Sequence, residues 1–180
     1  MSRMIQRALI SLVCFLTILL LGCGSTTAKR EETERIVEKS ALIDGLLSFE
    51  SPVEVRSRLD PSVLPWEVVE DSALAPGDRR PPFHNYAVII ARYTDLDHSG
   101  ELELHFFNDR LMEASFFSNN PDSYLHRLRD SRGIDLAATT KASLPRYTLV
   151  STGSRGGRRY ISWTDTRLSE EFDDWIRRYS

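Results

Sequence analysis

The chain has 180 residues, 41% of them hydrophobic, and carries 23 Lys and Arg against 26 Asp and Glu for a formal net charge of −3 at pH 7. That length suits one domain of about 100–200 residues with a core of its own. The mildly acidic balance gives no reason to expect nucleic acid as a partner, since such proteins carry basic patches.

Residues 1–22 have the layout of an export signal. Arg3 and Arg7 give a positive start, Ala8 to Leu21 is an apolar run broken only by Ser11 and Thr17, and Gly22 puts a small residue before Cys23. A charged start, an apolar core of about 7–15 residues and a small-residue cleavage site define such a signal. The run falls short of the about 20 apolar residues that a bilayer-spanning helix needs. Leu20-Leu21-Gly22-Cys23 resembles the lipobox of bacterial lipoproteins, which has Leu three residues before the Cys and Gly or Ala just before it. The resemblance covers residues 1–24. It implies cleavage before Cys23, a diacylglyceryl thioether on its sulfur and a palmitate-type chain on the freed α-amine. One acyl chain binds a membrane only marginally, whereas two or three make attachment durable. In enterobacteria-like sorting of such lipoproteins, an Asp after the Cys favours inner-membrane retention. Gly24 stands there instead, which implies an outer-membrane location facing the periplasm. Ordinary cleavage near Gly24, releasing a free periplasmic protein, is the competing reading.

Removal of residues 1–22 would leave 158 residues and move the net charge from −3 to −5, because the segment holds two arginines and no acid. Cys14 would leave with it. Cys23 would then be the sole cysteine and alkylated, so no disulfide could form even in an oxidising compartment. The expected layout is a lipidated tether over residues 23–30 and a single α+β periplasmic domain over residues 31–180, held by packing alone.

A helix is expected from about Lys29 to Phe49, with Ile36, Ser40, Ile43 and Leu47 sharing a face. Ser51-Pro52-Val53-Glu54 opens a second, short helix by a capping box, and Asp60-Pro61 stops it. Trp66 to Glu70 reads as a short strand and residues 71–85 as an exposed loop. Tyr86 to Tyr93, Glu101 to Phe107 and Leu111 to Phe117 read as three strands of an antiparallel meander. Leu102, Leu104 and Phe106 alternate with Glu101, Glu103 and His105, and Met112, Ala114 and Phe116 share a face, so one side of the meander is expected to be buried. Asn120-Pro121 opens a helix with Tyr124, Leu125 and Leu128 inward. Residues 131–146 read mostly as loop. Tyr147 to Thr152 and Arg158 to Trp163 form a second hairpin. The last helix has an apolar stripe of Leu168, Phe172, Trp175 and Tyr179 and favourably ordered pairs Asp173–Arg177 and Asp174–Arg178. The expected fold class is α+β, an antiparallel meander plus a second hairpin packed against N-terminal and C-terminal helices.

Between residues 47 and 117 the order is capped helix, Asp-Pro stop, Trp-led strand, then meander. On Ser51, Glu54, Val55, Leu59, Pro61, Trp66 and Phe106-Phe107-Asn108 it resembles the small outer-membrane lipoproteins of the SmpA/OmlA type. The resemblance implies a helper in the assembly of β-barrel proteins. The chain departs from that family by Asp60 in place of Gly, by its greater length, and by a second hairpin and terminal helix without counterpart.

Residues able to carry chemistry fall into few constellations. Asp95, Asp97, Ser99 and Gly100 match the first half of a calcium loop, but its twelfth position, which should be a bidentate Glu, is Phe106. A polar hairpin turn with Gly100 at positive φ accounts for the same residues. His84, His98, His105 and His126 include no pair at the i,i+4 spacing of a helical zinc site, and they read as surface histidines. Gly153-Ser154-Arg155-Gly156 lies between strands, so it is neither a nucleophile elbow nor a phosphate loop. Glu101 and Glu103 read as the wetted side of an alternating strand. Arg155, Arg158 and Arg159 form a small basic patch suited to anionic headgroups or an acidic partner, or simply a solvated turn. Trp66, Trp163 and Trp175 read as core. No catalytic, metal or cofactor-binding set emerges, and Cys23 is the one assigned site, for lipidation. The chain therefore reads as a lipid-anchored cell-envelope lipoprotein, a non-enzymatic accessory binding or assembly module whose partners are the membrane, through Cys23, and envelope proteins. The alternative is an anchored hydrolase or small-ligand binder.

Overall fold

Seven runs of alternating or β-branched residues form one antiparallel sheet in a computed structural model that describes residues 37–59 and 64–180. Cys23, the signal and the tether lie outside the described residues. The strands are β1 (Trp66–Ala73), β2 (His84–Asp95), β3 (His98–Phe107), β4 (Arg110–Ser118), β5 (Lys141–Ser143), β6 (Thr148–Arg155) and β7 (Arg158–Asp165). Their spatial order is β1-β2-β3-β4-β7-β6-β5. The helices are α1 (Pro52–Arg58), α2 (Pro121–Arg132) and α3 (Thr166–Tyr179). Mixed α+β architecture dominated by sheet is thus the observed class. Among the described residues no helix is long and apolar enough to cross a membrane.

Three two-residue turns set the register. Leu96-Asp97, Asn108-Asp109 and Gly156-Gly157 all have positive φ at both positions. Such turns match the right-handed twist of the strands they join. Leu96 is the costly member, because only Gly and, to a degree, Asn and Asp adopt this conformation readily. Its side chain is half-buried against the core and its carbonyl meets His98 Nδ1 at 2.8 Å.

Gly100 does not take the positive φ expected of it. It sits in β3 opposite Ser118, where a Cβ would press on the Phe117 carbonyl and come within 2.8 Å of the Phe116 ring. Glycine is needed for the close approach of two strands, not for the turn.

One sheet face carries Val88, Ile90, Leu102, Leu104, Phe106, Ala114, Phe116, Val150, Ile161 and Trp163, all essentially inaccessible. Val55 of α1 and Tyr124 and Leu128 of α2 pack onto this cluster. A second cluster joins Phe107 and Met112 to Leu168 and Trp175 of α3, with Phe83 and Phe172 beside them. Met112 therefore leaves the Ala114–Phe116 group expected for it. A β-bulge at His105/Phe106 shifts the β3–β4 register there and redirects it.

The expected N-terminal helix is corrected over its described part. Residues 37–50 turn back on themselves: Ile43–Gly45 is a single 3-10 turn with Asp44 at φ 50°, and Ala41 bridges Leu47. Ser48 N donates to Ser40 O at 2.8 Å and Leu42 N to Leu46 O at 2.8 Å. The helix-like spacing of Leu42, Ile43 and Leu46 arises because a tight turn also brings these residues to one buried side. The α1 capping box forms as the sequence predicts, with Ser51 N donating to Glu54 Oε2 at 2.6 Å and Glu54 N to Ser51 Oγ at 3.3 Å. In α3, Asp174 rather than Asp173 receives Arg177, at 2.9 Å, as well as Arg178 at 3.4 Å.

Candidate functional site

The face of the sheet opposite the main core carries a band of polar side chains flanked by Ala87, Ile89 and Phe117. Cross-strand partners share a face, so the register Glu103↔Ser115↔Ser162↔Ser151 draws one polar row across β3, β4, β7 and β6. His105↔Glu113↔Thr164 draws a second. Glu113 accepts from Ser115 Oγ at 2.8 Å and from Thr164 Oγ1 at 3.0 Å, and Ser151 and Ser162 share a bond of 2.9 Å.

The tip of the β6–β7 hairpin lies over this layer. Arg155 Nη1 donates to both oxygens of Glu103, at 2.7 and 2.6 Å, and His105 Nε2 lies 2.8 Å from Glu103 Oε1. Arg158 reaches Glu101 at 3.0 Å, and Arg159 pairs with Asp122 at the start of α2. The three arginines expected as a basic patch are therefore matched one for one by acids of the same chain. Arg158 also lies 4.8 Å from the Phe117 ring centroid, and Arg155 lies 5.5 Å from that of Tyr160. Glu103 is correspondingly buried rather than wetted, at 7% exposure. Hydrogen bonds from His105 and Arg155, against the opposing cost of burial, hold its carboxyl down at about 2. A carboxylate held ionised in this way makes a poor general acid at neutral pH.

The remaining predicted positions are dispersed. His98 contacts Ser123 Oγ at 3.0 Å, His126 is exposed on α2, and His98 and His105 do not converge. His84 is clamped between Asp71 at 2.9 Å and Asp109 at 3.0 Å. Burial opposes its charge, but the two carboxylates outweigh burial and raise its pKa. Asp95 points inward, away from any calcium loop: it accepts from Tyr124 Oη at 2.5 Å and Arg132 Nη2 at 2.6 Å. Burial and that carboxylate push the Tyr124 phenol well above its ordinary range. Among the described residues no three of His, Cys, Asp and Glu gather where they could hold a metal. Trp163 is core and Trp175 belongs to the second cluster, its Nε1 bonded to Pro81 O at 3.1 Å. Trp66 packs at the core margin, stacked 6.4 Å from Phe106.

Sequence reading missed two buried anions, Glu50, which pairs with Arg58 at 2.6 Å, and Asp165. Asp165, fully enclosed at the β7–α3 junction, accepts from Ser48 Oγ at 2.7 Å and Arg167 Nη2 at 2.6 Å. Burial raises its pKa, yet the Arg167 and Ser48 bonds prevail and lower it. Arg167 also reaches Glu38 O at 2.8 Å and lies 4.2 Å from the Tyr147 ring centroid. This node pins residues 38–48 to the end of the sheet. Only the N-cap role of Asp165 leaves a local trace in sequence.

A cleft of about 490 Å³ lies between α2 and the β6–β7 hairpin, lined by Leu125, Leu136 and Ile161 together with the Asp122–Arg159 pair. A second, about 460 Å³, is lined by Pro82, Phe107, Asn108, Trp175 and Tyr179. No protein-family model matches this chain, and no curated protein matches it.

Proposed function

We propose that this chain is a lipid-anchored envelope lipoprotein that works as an accessory binding or assembly module, held to the outer membrane through Cys23 with its domain in the periplasm. The observation that carries the reading is Leu20-Leu21-Gly22-Cys23 at the end of the apolar run from Ala8. Two features add support. The two charged groups lining the α2–hairpin cleft, Asp122 and Arg159, are paired with each other, which favours a binding module over the alternative of an anchored hydrolase or small-ligand binder. The sheet also leaves a long edge strand for contact.

Metabolic labelling with palmitate tests the anchor. The expected result is a mature form beginning at lipidated Cys23 in the membrane fraction, with label and membrane attachment both lost in Cys23→Ser. Unchanged mass and fractionation in that variant would overturn the proposal.

A further inference from the structure

The two edges of the sheet are built differently. One edge, β5, is three residues long, begins with Lys141 and is followed at once by Leu144-Pro145. Short length, lysine and nearby proline are the devices by which proteins stop an edge from pairing with other chains. The other edge, β1, is eight residues of sequence Trp-Glu-Val-Val-Glu-Asp-Ser-Ala, long and without lysine, with its nearest prolines, Pro65 and Pro76, outside the strand. Among the described residues only β2 pairs with it.

Two features of β1 define what would fit. On the core side, Trp66 and Val68 lie opposite Ile90 and Val88, both fully buried. Val68 is nevertheless 53% exposed, so the apolar layer runs out to the edge and stops there uncovered. On the opposite side, Glu67 lies across from Ile89 and Glu70 from Ala87. Pairing β1 with β1 of a second copy would set these acids against each other, which is destabilising. An added strand that carries lysine or arginine on that side and apolar residues on the other satisfies both. The bulge between Val68 and Glu70, with Val69 unpaired, limits the registers such a strand can adopt.

We propose that the outer edge of β1 is a docking site for an extended basic segment of a partner protein, which adds as an eighth strand, buries its apolar side chains beside Val68 and pairs its cations with Glu67 and Glu70. Backbone bonds supply affinity in this mode and alternate side chains supply selectivity. The inference deepens the binding-module reading and rests on it, but it does not depend on the lipid anchor.

The test uses the full chain in detergent and a synthetic peptide of alternating lysine and valine, with an alternating glutamate and valine peptide as control. Saturable binding of the lysine peptide is expected, with slowed amide exchange across Trp66–Ala73. The Kd should rise at least about tenfold both in Val68→Lys and in Glu67→Lys/Glu70→Lys. The charge-reversed variant keeps the core intact and should gain affinity for the control peptide, so loss through misfolding is distinguishable. Any of four results would overturn the proposal: no binding by the folded protein, equal binding of both peptides, a dimer of the free protein that the same variants abolish, or β1 amides already protected in the free protein. Failed palmitate labelling with peptide binding intact would remove the anchor and leave the edge site standing.

Discussion

The two faces of this sheet are held by different physics. The core face is nearly pure hydrocarbon: Leu102, Leu104, Phe106, Ala114 and Phe116 alternate along β3 and β4 and are fully enclosed. The opposite face interleaves Glu103, His105, Glu113 and Ser115 with them and is closed by Arg155 and Arg158 from a distant hairpin. On the first face, dehydration of apolar surface stabilises without regard to direction, at about 1.5–3 kcal/mol for each large side chain. On the second, each group must find a partner in a specific geometry, because an unpaired buried polar atom costs about 1–3 kcal/mol. The core face should therefore tolerate changes of shape better than losses of volume, and the polar face the reverse.

The largest effect is expected from Phe106→Ala. It removes a fully buried ring that stacks on Trp66 and packs at a tilt against Tyr86, and urea unfolding should show a loss of about 3–5 kcal/mol. A loss below about 1 kcal/mol would mean that the core face is not the main source of stability. Gly100→Ala tests the join between the faces. The added methyl meets the Phe117 backbone, so a cost of about 1–3 kcal/mol is expected by the same measurement. An unchanged midpoint would show that β3 and β4 can separate there without penalty.

Glu103→Gln breaks the polar face at its centre and should cost about 1–3 kcal/mol near neutral pH. The pH dependence is the sharper readout. Glu103 titrates at about 2 in the fold against an ordinary 4.5. Its contribution is thus complete above 4.5 and is lost as the pH falls toward 2. The wild-type chain should lose more stability across that window than Glu103→Gln; parallel curves would remove Glu103 from the account. The smallest effect belongs to His84, whose pKa is raised. A raised pKa stabilises below the ordinary value of 6.5 and ceases to do so as the pH climbs through the folded value. With both carboxylate partners mostly exposed, less than about 1 kcal/mol is expected. His84→Gln should flatten the fall of stability that the wild-type chain shows as the pH rises above 6.5.

Local patterns were legible wherever one short segment contains its own cause. Ser51 and Glu54 make the α1 cap from positions three apart, and the alternation from Glu101 to Phe107 assigns each residue to the face it occupies. The stripe Leu168, Phe172, Trp175 and Tyr179 marks α3, although Tyr179 at its end remains 37% exposed. The strands at the margins were underestimated. β1 continues to Ala73 and β2 begins at His84, because backbone pairing carries on through residues whose side chains suggest loop. Residues 37–50 have a helix-like pattern without a helix because a tight turn and a helix can both bring every third or fourth residue inward. The polar face was assigned to the right residues and the wrong environment: Glu103 alternates as a solvent-facing residue should, and is covered only because Arg155 arrives from 52 positions away.

The sequence by itself determined the central strands β2 to β4 and the β6–β7 hairpin, the turns between neighbours, the capped helices and the resemblance of residues 1–24 to a lipoprotein signal, since each depends on residues within about ten positions of each other. Tertiary structure alone decided that β4 pairs with β7, that Asp165 holds residues 38–48, that three arginines of one hairpin are neutralised by three acids elsewhere, and that β1 and β5 are the two edges of the sheet among the described residues. Those outcomes rest on which segments meet in space. A charge or a strand edge has no fixed role until its neighbour is known, because its energy is set by the partner and by the water the partner displaces.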